Sequence, residues 1–180
     1  MKQQTSNGNQ TPLPSGDWGL QSSHRCGCGP TKGSESPIRD GGQEGGGFRL
    51  SRNFTLEEMM ATSHGKLQDM PTGEVILNLT FLCARVLQPL RDTIGRPVYI
   101  NSGYRSKRLN ARVGGVPNSY HLCGLAADIH VDNDEHAKVL FDILRQNKWV
   151  DMLIMERKGS SRWLHVQTRT DGRQRRRAVW

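Results

Sequence analysis

Apolar residues recur every three to four positions through much of residues 55–148, which is the period of an amphipathic helix. The clearest stripe lies within residues 74–94 and predicts one long core helix that Pro89 kinks late. Thr55 with Glu58 three positions on predicts the capped start of a short helix. The stripe of the long helix comprises Val75, Ile76, Leu79, Leu82, Val86, Leu87 and Leu90.

The second half of the chain adds segments with the period of strands. The predicted strands lie within residues 97–106, 124–131, 150–156, 162–169 and 175–180, the last of them an edge strand. Short helices are predicted within residues 106–115 and 132–148, and Gly159 provides a turn between two strands. Helices followed by a run of neighbouring strands predict an α+β domain with helices on one face of a mainly antiparallel sheet.

Composition divides the chain near residue 48. Residues 1–50 hold 11 of the 20 glycines, and few apolar residues accompany them. Burial of so few apolar side chains cannot offset the entropic cost of ordering this part of the chain, so residues 1–48 are predicted to be a disordered leader. Residues 49–180 are predicted to form the folded domain with a basic C-terminal end.

No run of about eighteen apolar residues occurs, so no membrane span is expected. The opening residues lack the apolar stretch of a secretory signal. The protein is therefore expected to stay in the cytoplasm until a separate route releases it.

The net charge of +8 is concentrated at one end, since residues 157–180 carry eight Lys and Arg residues against Asp171 alone. Such an end either attracts polyanions, including cell-wall polymers, or is a solvated edge strand blunted by arginines. No recognition helix or interleaved aromatic residues accompany the charge, so nucleic acid is not an expected partner.

His24, Cys26 and Cys28 form a small cluster of metal-ligand residue types in the leader. A C-x-C spacing differs from that of zinc knuckles, and no second pair follows it. A flexible tail that carries thiols is the favoured interpretation.

Four polar residues stand inside otherwise apolar strand segments: His121, Asp128, His130 and His165. Alternation along a strand places Asp128 and His130 on one face. A buried carboxylate needs a partner, and two imidazoles with one carboxylate suit a single zinc ion that keeps a fourth position for water. From spacing alone, the alternative is a pair of hydrogen-bonded core histidines with Asp128 capping a turn.

Longer motifs resolve this choice. The stretch from "SGYRS" (residues 102–106) through "SYHLCGLAAD" (residues 119–128), followed by "WLHV" (residues 163–166), resembles the zinc D-alanyl-D-alanine peptidase family of peptidoglycan enzymes. That family shares its fold with the Hedgehog signalling domain. The resemblance covers roughly residues 50–180 and implies a Hedgehog/DD-peptidase-like fold.

The resemblance implies a role for each matched residue. His121, Asp128 and His165 would be the ligands of one zinc ion. Arg105 would bind substrate and stabilise the developing oxyanion, for which its fixed charge and fork of donors suit it. Ser119 would contribute a hydrogen bond to the substrate or to a ligand.

The general base does not carry over directly. Many members place an acid three residues before the last histidine, where this chain has Arg162, which cannot accept a proton. Glu156 is the predicted substitute, because a hairpin of residues 151–156 with 163–168 would bring it beside Trp163 and near the metal.

These features predict a zinc metallopeptidase that hydrolyses a bond in peptidoglycan stem peptides, as a carboxypeptidase, endopeptidase or dipeptidase. A phage or prophage lysis enzyme fits a protein without its own secretion signal. The alternative is a non-catalytic zinc domain of the same fold, which Arg162 in the base position favours. The sequence does not determine the oligomeric state.

Overall fold

A computed structural model describes residues 47–180. The predictions of a leader over residues 1–48 and of the His24, Cys26 and Cys28 cluster therefore lie outside the described residues, apart from the last two positions of the leader. All structural statements below concern the described part of the chain.

The described residues form a series of helices and the strands of one sheet. The helices are α1 (Leu56–Met60), α2 (Gly73–Leu82), α3 (Gln88–Ile94), α4 (Lys107–Arg112) and α5 (Asp134–Leu144). The strands are β1 (Ile100–Ser102), β2 (Ala126–His130), β3 (Val150–Lys158), β4 (Ser161–Thr168) and β5 (Arg177–Val179). Short 3-10 helices cover Gly65–Leu67 and Tyr120–Cys123. None of the helices in this region is long and apolar enough to cross a bilayer.

Side-chain caps begin most of the helices, as the sequence predicts for α1. The Thr55 hydroxyl accepts a hydrogen bond from the backbone N–H of Glu58 at 3.2 Å. Thr72, Ser106 and Asn133 cap α2, α4 and α5 in the same way. Each cap satisfies a backbone N–H that has no partner within its helix.

The long helix predicted over residues 74–94 is interrupted by one wide turn. Between α2 and α3, Cys83–Leu87 forms a π-type turn in which the N–H of Gln88 donates to the Cys83 carbonyl. Pro89 has no N–H to offer the Arg85 carbonyl, which instead accepts from Asn147 Nδ2 at 2.9 Å. The predicted kink therefore takes the form of a π-turn directly before the proline.

The sheet confirms the predicted α+β class. Its strand order is β1-β2-β4-β3-β5, with antiparallel pairs throughout except for β3 and β5, which are parallel. Gly159 makes the β3–β4 turn with a positive φ of 60°. β1 is shorter than predicted, because the chain leaves the sheet after Ser102 and the Tyr104 N–H donates to the Met59 carbonyl instead.

The two faces of the sheet have different surroundings. Ala127, Ile129, Leu164 and Val166 belong to the main hydrophobic cluster, which also contains residues of α2, α3 and α5. Alternation places Asp128, His165 and their same-parity neighbours on the opposite face. We call this opposite face the site face.

Asp151, at the start of β3, fixes the C-terminal segment to the sheet. Its side chain is fully buried, accepts from Arg175 Nη2 at 2.9 Å and Arg175 N at 2.6 Å, and also accepts from Gln167 Nε2 at 2.8 Å. Burial alone would raise the Asp151 pKa, but the contacts with Arg175 outweigh it and hold the pKa below the usual range. Asp151 is thus a structural residue.

Arg175→Ala is expected to destabilise the fold by about 1–2 kcal/mol, because it leaves a buried carboxylate short of a partner while the arginine itself is partly exposed. The stabilisation of the fold by this ion pair should be fully present above a pH of about 4 and should decrease on acidification, since the pKa of Asp151 is depressed in the folded state. Urea unfolding at two pH values measures this. Arg173→Ala is the control, and equal losses for both variants would contradict the assignment.

Candidate metal centre

Three elements bring the predicted ligands together. Asp128 lies in the middle of β2, directly opposite His165 on β4, so the pairing register alone puts both side chains side by side on the site face. His121 comes from the 3-10 helix Tyr120–Cys123 that precedes β2. His121 and Asp128 are buried and His165 is nearly so, with 14% of its side chain exposed.

The distances suit one tetrahedral cation. His165 Nδ1 lies 2.9 Å and His121 Nε2 3.3 Å from Asp128 Oδ1, and the two nitrogens are 3.4 Å apart. Ligand atoms about 2.0–2.1 Å from a tetrahedral zinc ion lie roughly 3.3 Å from one another. His121, Asp128 and His165 therefore fit a divalent metal with little rearrangement, and their ligand atoms form the one such group found in the described residues.

A backbone contact sets the tautomer of His121. Its Nδ1 lies 2.6 Å from the carbonyl oxygen of Gly103. Because a carbonyl can only accept, Nδ1 must carry the proton, which leaves the Nε2 lone pair for a metal. This arrangement of a donated ring N–H behind the ligand nitrogen is common to metal-binding histidines.

The electrostatics favour the protonation states that a metal needs. Burial opposes the ionisation of Asp128, but its close contacts with the rings of His121 and His165 outweigh it, so the pKa of Asp128 lies well below its usual range. Burial lowers the pKa of His121, and its contact with Asp128 offsets this only in part. An ionised carboxylate and a neutral imidazole are the ligand forms.

Arg105 stands beside the ligands on the loop after β1. Its Nε donates to Ser102 Oγ at 2.7 Å, and its Nη2 contacts Oδ2 of Asp128, the oxygen turned away from the histidines. The guanidinium is therefore held at two points and still has donors for a substrate. Its predicted substrate role stays a prediction, and the contact with Asp128 adds a positioning role.

Ser119 lies one residue before the 3-10 helix. Its hydroxyl accepts from the backbone N–H of His121 at 3.4 Å, which caps this helix and helps to orient the ligand. Its predicted hydrogen bond to a substrate stays a prediction.

Glu156 lies where the hairpin prediction expects it. It pairs across the ladder with Trp163, which is two residues from His165 on the same strand, so its side chain shares the site face. Diagonal neighbours of this kind have Cβ atoms within about 7–8 Å, a span that a glutamate and one water molecule can bridge. Glu156 is half-buried, and its side chain makes no hydrogen bond or ion pair within residues 47–180.

Arg162 is not in the site. It falls on the core-side face of β4, because three positions along a strand reverse the face, and its Nη1 pairs with Asp134 Oδ1 at 2.7 Å. Asp134 opens α5 and also contacts Arg157 at 3.2 Å. The arginine therefore lies outside the group of metal-ligand residues and pairs with the start of α5.

His130 has the orientation expected from strand alternation but not a ligand's position. Its side chain is 45% exposed, and its Nε2 lies 3.3 Å from Asp132 Oδ1. It shares the site face with Asp128 and is opposite Trp163. His130 is thus an exposed strand histidine next to the site.

Sequence reasoning missed the residues that support the site from behind. A Cβ at Gly103 would lie 2.5 Å from the Met59 carbonyl oxygen, so only glycine fits there. Gln68 holds the same loop by donating to the Tyr104 carbonyl at 2.7 Å and accepting from the Ser106 N–H at 2.9 Å. The glycine of "SGYRS" was a visible signal, whereas nothing in the sequence marks Gln68.

Gly103→Ala is expected to destabilise the fold by about 1–3 kcal/mol, because the added methyl group meets backbone atoms that cannot move aside cheaply. The same shift would move the carbonyl that orients His121 and weaken metal binding. Thermal unfolding and a zinc titration measure the two effects. Gly73→Ala is the control, since an added Cβ there meets nothing within 4 Å; unchanged stability for Gly103→Ala would refute the close packing.

A buried His–Asp–His cluster with an acid and an arginine close by is the arrangement of a hydrolytic metal site. The family model for peptidase M15 matches residues 52–167, so this chain belongs to the peptidase M15 family. This confirms the resemblance seen in the sequence.

A curated relative carries the same resemblance. The zinc D-Ala-D-Ala carboxypeptidase of Streptomyces albus G is 46% identical over 44 residues, which is 24% of this chain and 17% of the relative. The chain therefore matches less than a fifth of the length of this relative.

Proposed function

We propose that this protein is a zinc-dependent peptidase that hydrolyses a peptide bond in peptidoglycan stem peptides, next to a D-amino acid. One observation carries the proposal: His121 Nε2, His165 Nδ1 and Asp128 Oδ1 converge at tetrahedral spacing beside a face that holds Glu156. Membership of peptidase M15 and the printed activity of the Streptomyces relative support the substrate class.

Each side chain has a definite task in this mechanism. His121, Asp128 and His165 hold the zinc ion, which when bound lowers the pKa of water and polarises a carbonyl group. Glu156 takes a proton from the attacking water and returns it to the leaving amine. Arg105, fixed by Ser102, donates hydrogen bonds to the oxygen on which negative charge develops.

The finer parts of the proposal concern the fold type and the setting. We assign the domain, over residues 49–180, to the Hedgehog/DD-peptidase fold, which the motif order and the five-stranded sheet support. We also propose release from the cytoplasm as a phage or prophage lysis enzyme that acts on the cell wall. Expression with and without a holin, followed by culture turbidity, tests this part.

Product analysis tests the activity directly. Purified peptidoglycan and a synthetic stem peptide ending in D-Ala-D-Ala are incubated with the zinc-loaded protein and with its Glu156→Gln variant. Free D-alanine indicates a carboxypeptidase, and internal stem fragments indicate an endopeptidase. If zinc binds but neither substrate is cut, the alternative of a non-catalytic zinc domain replaces the peptidase proposal.

A further inference from the structure

The site face continues beyond the metal ligands toward an edge of the sheet. The pairing registers align Asp128 on β2, His165 on β4, Ile154 on β3 and Val179 on β5 in one row across four strands. We call this the metal row. Residues paired in a ladder share a face, so all four side chains lie on the site face.

The far half of the metal row is apolar and accessible. Ile154 is half-buried and stands outside the main hydrophobic cluster, and Val179 is 43% exposed. Neither residue belongs to the main hydrophobic cluster that residues of α2, α3 and α5 join. An extended peptide lying across the strands would find an apolar floor leading away from the candidate metal site.

One arginine lies beside this floor. Arg177 on β5 pairs with Met152, so it shares the face of Ile154 and Val179 and stands two residues from the metal row. It is exposed and has no ion pair or side-chain hydrogen bond within residues 47–180. By contrast, Arg169 and Arg175 are each occupied by an aspartate, Asp171 and Asp151.

The strand that carries Arg177 is fixed in three ways. Arg175, two residues earlier, is bound to the buried carboxylate of Asp151. β5 pairs along its whole length with β3. Trp180, one residue after β5, packs edge-on against Phe141 of α5 with ring centroids 5.1 Å apart. The arginine is thus presented on an ordered strand, which lowers the entropic cost of binding a ligand.

The spacing indicates what Arg177 would bind. Neighbouring strands lie about 4.8 Å apart, so β5 is roughly 10 Å from β4, which carries His165. Arg177 also lies two residues, about 7 Å, along the strand from the metal row, so its backbone is roughly 12 Å from that of His165. An extended peptide advances about 3.3 Å per residue, so this separation corresponds to roughly three to four residues. A guanidinium at that distance suits a carboxylate, because the two groups form paired, charge-assisted hydrogen bonds.

We infer that the face of β3 and β5 is the substrate-binding surface and that Arg177 selects peptides with a carboxylate roughly three to four residues from the scissile bond. The inference rests on the proposed function and specifies its substrate. It also gives the basic C-terminal end a role in substrate recognition. The sequence alone left two interpretations of that end, general attraction of polyanions and a solvated edge strand blunted by arginines.

Equilibrium binding tests this without requiring turnover. The parent protein is the full chain with Glu156→Gln, loaded with zinc, and Arg177→Gln or Arg173→Gln is added to it. Two synthetic stem peptides ending in D-Ala-D-Ala are compared, one with its internal carboxylates free and one with them amidated. The C-terminal carboxylate is free in both.

Arg177→Gln should weaken binding of the peptide with free carboxylates about tenfold, the loss of one charge-assisted contact. It should leave the affinity for the amidated peptide unchanged. Arg173→Gln, which removes the same charge from an exposed position outside β5, should change the affinity for neither peptide.

The inference is overturned if Arg177→Gln affects the binding of both peptides equally or of neither. It is also overturned if Arg173→Gln has the same effect as Arg177→Gln, or if the parent binds neither peptide. If the parent binds selectively but the unmodified protein with Glu156 never cuts either peptide, the proposed function alone is refuted.

Discussion

Glu156→Gln is expected to lower kcat on a peptidoglycan stem peptide by a factor of about 10²–10⁴. The amide keeps the shape of the side chain and one acceptor oxygen but cannot take a proton from water. Glu156 lies on the site face, diagonal to His165, and no other described residue neutralises it. Steady-state kinetics with a stem peptide measure the loss.

The zinc content and thermal stability of Glu156→Gln should match those of the unmodified protein, because the side chain is not among the grouped ligand atoms. Glu135→Gln, an exposed residue in the first turn of α5, is the matched control and should retain full activity. A Glu156→Gln variant that keeps more than about a tenth of the activity would assign the proton transfer to another group.

His165→Ala is expected to weaken zinc binding by a factor of more than about 100, beyond the effect typical of residues that only orient a ligand. The substitution removes one of three converging atoms and leaves His121 and Asp128 as the remaining pair. Two ligands do not complete the tetrahedral site that three protein ligands and water provide. Competition with a chromogenic chelator measures the affinity.

His130→Ala is the control for this change. His130 lies on the same face, directly opposite Trp163, but its ring contacts Asp132 at 3.3 Å and not the ligands. Its removal should leave zinc binding within a factor of about two of the original value, as expected for an exposed side chain outside the ligand set. If both variants lost zinc equally, the ligand assignment would be wrong.

Strand alternation made much of the site predictable from the sequence. Asp128 and His165 occupy the centres of two strand patterns, and the structure pairs them directly. The predicted hairpin around Gly159 likewise brings Glu156 beside Trp163, and the structure pairs the two residues. Period-two patterns encode which face a residue occupies, and motif order identified which strands meet.

The same rule separates Arg162 from the site face. Residues three apart on a strand face opposite sides, so Arg162 and His165 cannot both face the metal when β4 is regular from Ser161 onward. The family pattern led the sequence interpretation to treat this arginine as a missing base. The structure shows it instead in an ion pair with Asp134.

Contacts between distant segments could not be predicted. The Gly103 carbonyl orients His121 across 18 positions of the chain, and Arg105 reaches Asp128 across 23. In the π-turn before Pro89, the Arg85 carbonyl accepts a hydrogen bond from Asn147, which lies 62 positions away. These contacts depend on how whole elements pack, and local propensity carries no information about that.

Zinc readdition to chelator-treated protein tests the central claim most directly. Metal-free protein should be folded and inactive on stem peptides. Activity should rise in proportion to added zinc until each protein molecule holds one zinc ion at the site formed by His121, Asp128 and His165. Full activity in the metal-free protein, or failure of the protein to bind zinc at all, would contradict the account.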